Sequence, residues 1–296
     1  MDAVILLLVS GLTMGAVYAL VAVGFFLIAS VARTLNFAHG SFVVLGGLIS
    51  HSVIVSGGGL PWVAAGVLLL LAPLFGILLN RSIILPLSKR PPGASIIALL
   101  TAGFLIDNLA ILIWGKDPLP FPSFVPDLSI SMGTIFISGD ALLVFVGTAT
   151  LLAACYFFLE RTLLGKAIRA VGDNRLASSL VGINDGRVQD VAVSIAVGLA
   201  MLGGLLIAPI NYAGGILVIA VTVKGFTAMV LGGTRSFWGP VTGGVLLGLM
   251  EAGISRYLSS SYREIIIMSF LLLILLLAPQ GLLSFRRRHE GGDLAV

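Results

Sequence analysis

Charge is scarce in this chain of 296 residues: Asp, Glu, Lys and Arg make up 10% of it, while apolar residues make up 58%. A soluble domain carries roughly 25% charged residues and about half apolar ones, so both departures run in the direction a bilayer demands. With a mean hydropathy of +1.13, the residues cannot be divided between a buried core and a wetted surface. Cysteine is nearly absent too: Cys155 stands alone in an apolar stretch, which excludes an intrachain disulfide or a Cys-based metal site and leaves packing as its role. The three histidines, His39, His51 and His289, are dispersed, and the carboxylates are isolated. Neither a metal-ligand spacing nor an acid–base pair emerges, so no catalytic centre is expected. Gly followed by Lys occurs only at Gly115–Lys116 and Gly165–Lys166, and neither has the upstream Gly or the following Ser/Thr of a phosphate loop. The chain therefore carries no nucleotide site of its own.

What is present is a series of long apolar runs. At about 20 apolar residues per helical span, the chain has length for roughly eight to ten crossings with short loops and for no additional soluble domain. It is read as one transmembrane domain over 1–296, all-α and polytopic, with about eight or nine transmembrane helices. Spans are predicted at Val4–Ala29, Phe37–Val55, Trp62–Leu79, Ser95–Trp114, Ala141–Leu159 and Val188–Ile210. The first lacks a basic flank before it and is long enough to cross, so it reads as a membrane helix rather than a cleaved signal. Beyond it the pattern is less regular. Ile216–Gly233 is short, contains Lys224 and ends in two glycines, so a broken or re-entrant segment is expected near 216–240, followed by apolar runs at Val241–Ile254 and Ile265–Ala278.

Lys and Arg in short loops are retained in the cytoplasm during insertion. An external amino terminus places Arg33, Arg81, Lys89, Arg90, Arg161, Lys166, Arg169, Arg175 and Arg187 inside; nine crossings add Arg235, Arg286, Arg287 and Arg288, leaving Lys116, Arg256 and Arg263 outside. The net charge of +4 and pI near 9.5 follow from this asymmetry and from contact with anionic lipid head groups. The basic residues are scattered, with no accompanying aromatic platform, so nucleic acid is not an expected partner.

The most polar stretch between two spans is 160–187, a cytoplasmic loop too charged to enter the bilayer. Asp173 or Asn174 is suited to cap a short helix there, Ala177, Leu180 and Val181 form its apolar stripe, and Gly182 suits its left-handed end. Such a helix serves either as an ordinary interfacial loop or as a coupling element that docks into a partner's groove.

Four separated stretches resemble branched-chain amino acid permeases of the LivH type. They are GAVYALVAVGFFLIASVARTLNFAHGSFVVLGG at 15–47, RAVGDNRLASSLVGIN at 169–184, KGFTAMVLGGTRSFWGPVTGGVLLGLMEA at 224–252, and the closing Pro279, Gln280, Gly281 and Leu282. The resemblance implies the permease subunit of an ATP-binding cassette importer in a bacterial inner (plasma) membrane. It also implies a homologous second permease of the LivM type, two ATPase subunits that hold ATP and Mg, and a periplasmic or lipoprotein substrate-binding protein. It makes 169–184 a coupling helix, with Arg169, Asp173, Asn174, Ala177, Leu180, Val181 and Gly182 as its residues.

Several motif residues have physical readings of their own. Asn36 and His39 stand where one span ends and the next begins, with Gly40 suited to a tight turn, so an unwound stretch would present polar groups to a cavity; the alternative is a loop whose His faces solvent. Asp107, Lys224 and Glu251 are ionisable groups inside apolar runs, where function is the default suspicion. Asp107, beside Asn108, stands where the family leads one to expect an amide, and Glu251 lies near enough to a helix end for snorkelling or pairing. The substrate pathway is thus assigned to Asn36, His39, Asp107, Asn108 and Glu251. Gly232, Gly233, Gly239, Gly243, Gly244 and Gly248 are assigned to close helix packing or a hinge. The transported molecule expected is a small apolar, branched-chain amino acid, with urea and short amides as alternatives within the family. A proton-coupled secondary transporter using Asp107 or Glu251 is the rival class, and a passive channel the third; no internal symmetry of the inverted-repeat kind supports the former.

Overall fold

The computed structural model describes residues 2–88, 90–132, 135–214, 217–258 and 262–277. Lys89, the closing Pro279–Leu282 motif, Arg286–Arg288 and His289 lie outside the described residues.

The chain is helical nearly throughout. α1 (Asp2–Ala32) leads into α2 (His39–His51), which continues through a π-helical turn at Ser52–Ser56. α3 (Pro61–Leu79) also passes into a π-helical turn, Asn80–Ile84, before the short α4 (Leu85–Leu87). Then come α5 (Pro92–Trp114), α6 (Gly139–Arg161), α7 (Leu163–Asp173), α8 (Arg175–Leu180), α9 (Asp185–Asn211), α10 (Leu217–Gly232), α11 (Trp238–Tyr257) and α12 (Arg263–Leu277). Six of these helical stretches are long and apolar enough to cross a membrane: Val4–Ala32, His39–Ser56, Pro61–Leu87, Gly93–Trp114, Gly139–Arg161 and Asp185–Asn211. They coincide with the six spans read from hydropathy. The chain is a multi-pass membrane protein.

The architecture departs from the sequence reading in three places. An antiparallel hairpin, β1 (Ser129–Met132) with β2 (Ile135–Ser138), interrupts the all-helical expectation between α5 and α6. Its alternating short run of Ser, Ile and Met suits a strand, but so brief an alternation carries little weight between two strong hydropathy peaks. The break expected over 216–240 is confined among the described residues to 233–237, where Gly233 takes φ +83° and ends α10. Gly40 makes no turn. It lies inside α2, and the left-handed residue between α1 and α2 is Arg33, at φ +51°.

α1 and α9 form the centre of the bundle, and backbones approach most closely where glycine removes the side chain. α1 and α11 run antiparallel: a Cβ on Gly248 would strike the backbone of Gly11 and Gly15, and one on Gly244 would strike that of Ala19. On the other side, Gly204 of α9 leaves room for the Val43 carbonyl of α2, Gly46 of α2 for the Met201 backbone, and Gly76 of α3 for Ser194. Between α10 and α11, Gly232 and Gly239 face one another, and Gly243 abuts the Ala228 carbonyl. Helices surrounded by lipid gain nothing from hiding apolar surface from one another, so such backbone contacts supply much of their cohesion.

Replacing Gly248 by Leu is therefore expected to force α1 and α11 apart, at a cost of about 1–3 kcal/mol or more. Thermal unfolding in detergent should shift down by about 2–4 °C for each kcal/mol. Gly253→Leu, on the same helix with nothing within 4 Å of its would-be Cβ, should leave the midpoint unchanged.

Candidate functional site

Polar side chains gather at the two ends of the bundle. One end contains the α1–α2 junction, the turn after α3 and the start of α9. There Asn80 donates to Asp190 at 2.8 Å, and Arg81 reaches the other oxygen of that carboxylate at 2.8 Å. Asp185 pairs with Arg175 of α8 and accepts from Gln189 at 3.2 Å. Asn80 and Arg81 both lie at the start of the π-helical turn that follows α3.

At this end the polar loop of 160–187 folds into two helices. Thr162 caps α7 by accepting from the Gly165 amide at 2.9 Å, and Asn174 caps α8 by accepting from Ala177 at 3.0 Å. Of the two candidate caps, Asn174 takes the role, while Asp173 closes α7. Gly182, at φ +85°, follows the end of α8. Arg169 pairs with Glu160 at 2.6 Å. The outward side of this element is apolar: Leu176, Leu180 and Val181 are 73%, 80% and 77% exposed, with Ala177 exposed beside them.

The five residues assigned to a pathway do not form one site. Asn36 and His39 are fully buried at the α1–α2 junction, which sets aside a His facing solvent. Asn36 accepts from the Ala38 amide at 3.1 Å, and His39 stacks edge-on to Phe25 with centroids 5.0 Å apart. The Val21 backbone stands within hydrogen-bonding reach of the His39 ring. Asp107 lies half-buried on α5 beside Ser41, and Asn108 is exposed, donating back to the Phe104 carbonyl at 2.7 Å.

Glu251 stands at the opposite end, in a cluster that sequence reasoning did not assemble. Lys224 of α10 donates to Glu251 at 2.7 Å and lies 2.9 Å from Glu264 of α12. Tyr18 of α1 donates to the second Glu251 oxygen at 2.7 Å. Arg263 approaches Glu251 at 3.2 Å and Glu264 at 3.3 Å. Two cations and two carboxylates thus balance, and Lys224 and Glu251 have side chains only 6% and 10% exposed. The signal for this pairing was the presence of two opposite charges inside neighbouring apolar runs; their partners on α1 and α12 required the fold.

The cluster borders a cavity of about 640 Å³ between α1, α9, α10 and α11. Its walls combine Leu7, Met14, Ile207, Ile210 and Val221 with Lys224, Glu251, Arg256 and Arg263, and Asn211 and Tyr212 stand at the end of α9. Tyr212 adopts φ +63° with ψ 162°, a region that ordinary side chains rarely enter and that is found held by its surroundings near functional sites. Among the described residues no group of His, Cys, Asp and Glu has the arrangement of a metal site.

Truncating Glu251 to Ala would leave Lys224 buried beside a half-exposed Glu264 alone, a change expected to destabilise by about 3–5 kcal/mol. Lys224→Met with Glu251→Met, which removes both charges, should be far milder than the sum of the single substitutions. A double-mutant cycle on the detergent-solubilised protein measures this. Additive effects would contradict direct pairing.

The family described as "Branched-chain amino acid transport system / permease component" matches residues 7–277. The chain is 29% identical over 293 residues to the high-affinity branched-chain amino acid transport system permease protein LivH of Salmonella typhimurium, covering 93% of this chain and 94% of that protein. It is also 29% identical, over 295 residues, to the permease protein BraD of Pseudomonas aeruginosa, covering 94% of each. A more distant relative is the ribose import permease protein RbsC of Haemophilus influenzae, at 25% over 277 residues, covering 90% of this chain and 82% of that protein. No solved structure matches the chain. With the family matched across nearly all of its described helices, this chain belongs to the permease components of branched-chain amino acid transport systems.

Proposed function

We propose that this chain is a translocating subunit of an ATP-binding cassette importer that carries small aliphatic amino acids inward across a bacterial inner membrane. The observation that carries the reading is the unpartnered apolar face of α8, set at the arginine-bearing end of a multi-pass bundle in a chain without a nucleotide site. A short helix that exposes Leu176, Leu180 and Val181 while Arg175 is paired with Asp185 suits docking into a groove of another protein. Membrane insertion retains basic loops in the cytoplasm, so Arg33, Arg81, Arg175 and Arg187 favour that end as the inner one. The partners are then two ATPase subunits that bind ATP and Mg, a homologous second permease, and a receptor that delivers substrate at the opposite face.

α10, α11 and α12 complete nine crossings in this reading, with the amino terminus outside. The whole chain is then one permease domain with a cytoplasmic coupling loop at 160–187. Gly233, at φ +83°, provides a flexion point between α10 and α11, while Gly232, Gly239, Gly243, Gly244 and Gly248 pack.

Closure of the ATPase dimer would act on α8 as a rigid push. Arg175–Asp185 and the Asn80–Arg81–Asp190 contacts link α8 to α9 and α3. Proton coupling finds little support, because Glu251 is neutralised by Lys224 and Arg263 and Asp107 stands on the lipid-facing α5.

Labelled leucine uptake into vesicles containing this chain, its partner subunits and the receptor tests the reading. Uptake is expected to require ATP on the coupling-helix side, to persist when the proton gradient is collapsed, and to resist competition by urea. Leu180→Asp with Val181→Asp should reduce it at least tenfold while the purified chain unfolds at an unchanged temperature. Uptake that proceeds without ATP and vanishes with the gradient would overturn the proposal.

A further inference from the structure

We propose that the cavity beside the Lys224–Glu251 cluster is a binding site for a free α-amino acid in its zwitterionic form. Its carboxylate faces Arg256 and Arg263, its ammonium group faces Glu251, and its aliphatic side chain lies along α1 and α9. This rests on the function proposed above and adds to it that the permease itself, not only its receptor, recognises the substrate.

The first argument is the pairing of chemistries. The cavity of about 640 Å³ falls within the range of about 300–1,000 Å³ typical of small-molecule sites. One wall carries both signs of charge, and another carries Met14, Ile207 and Ile210. Urea or a neutral amide would use neither the charges nor the apolar wall. A branched aliphatic zwitterion uses both.

The second is the construction of the cluster. Its inner pair, Lys224 and Glu251, is almost fully buried and held by Tyr18, whereas the outer pair, Arg263 and Glu264, has side chains 37% and 46% exposed. The inner charges are thus fixed in place and the outer ones are accessible from water. The lining sets Lys224, Arg256 and Arg263 against Glu251, so a carboxylate offsets its excess of positive charge while Glu251 remains to receive an ammonium group. An amide lacks the first charge and a deaminated acid the second, and either leaves a group unmatched in a poorly solvated site, where uncompensated charge is expensive.

The third is location. The cavity runs along the first half of α1 from Leu6 to Tyr18, the start of α10, the last turns of α9 and α11 and the first residue of α12, in the half of the bundle away from α8. In the proposed orientation this is the face to which the receptor delivers substrate.

Equilibrium binding of radiolabelled leucine to the purified transporter complex in nanodiscs, with the receptor omitted, tests the inference; ATP-driven uptake by the same complex with receptor is measured in parallel. Saturable binding is expected, with leucinamide and 4-methylpentanoate competing at least tenfold more weakly than leucine and urea not competing. Lys224→Met with Glu251→Met should weaken binding at least tenfold in complexes that remain monodisperse. Ser10→Trp, at an exposed position on the cavity mouth away from the ion cluster, should weaken it as well. A cluster that only braces the helices would not impose the order of competitors. A complex that transports leucine yet shows no saturable binding up to millimolar concentration, or binds leucine, its amide and its deaminated acid alike, overturns the inference and leaves the transport reading standing. A complex that transports no leucine with ATP and receptor removes that reading itself.

Discussion

The fold depends on how closely α1 can approach its neighbours. In a bilayer the lipid tails are as apolar as the leucines they touch, so helix association needs close packing and polar contacts. Gly11 and Gly15 on α1 meet Gly244 and Gly248 on α11, while Gly46, Gly76 and Gly204 let α2 and α3 close against α9. These contacts bring α1 and α9 to the centre and leave α3, α5 and α6 more exposed, as their lower buried fractions show. Every functional group described above takes its position from this frame: Tyr18 reaches Glu251 because α1 lies against α11.

The distribution of charge follows from the same constraint. Ionised groups deep in an apolar bundle are costly unless paired, and here they occur as compensated sets near its ends. Asp190 with Asn80 and Arg81 ties α3 to α9 at one end; Lys224, Glu251, Arg263 and Glu264 tie α10, α11 and α12 together at the other. Between them the bundle is largely apolar, and Asn36, His39 and Ser41 lie buried at the α1–α2 junction, towards the Asp190 end. The exposed apolar helix at one end and the charged cavity at the other suit the two mouths of the alternating-access path proposed above.

Hydropathy carried the six long spans because each is a continuous apolar run, and no tertiary contact was needed to find them. The α8 helix was also legible, since an Asn cap, a short apolar stripe and a following Gly are local signals; which residue caps it depended on backbone geometry that Asp173 and Asn174 both permitted. The hairpin at 129–138 was not, because a brief alternation beside strong apolar peaks has little weight. Gly40 misled for a related reason: glycine permits a turn without requiring one, and the turn was made by Arg33. The candidate site was the least legible part. Asn36, His39, Asp107, Asn108 and Glu251 share the property of being polar in apolar surroundings, but that property does not say which helices are neighbours. Only the antiparallel seam of α1 with α11 joins Tyr18 to Glu251, across 233 positions of sequence.

The central claim is that the charged cavity and the α8 helix open on opposite sides of one membrane, and the single cysteine makes this directly measurable. Cys155 is buried on α6, so in a Cys155→Ser background a new cysteine can be placed at Ser10, on the cavity mouth, or at Ser179, on α8. A membrane-impermeant maleimide applied to intact cells is predicted to label the cysteine at position 10 and to reach the one at position 179 only after the membrane is opened. Labelling of both positions from the same side would contradict the account.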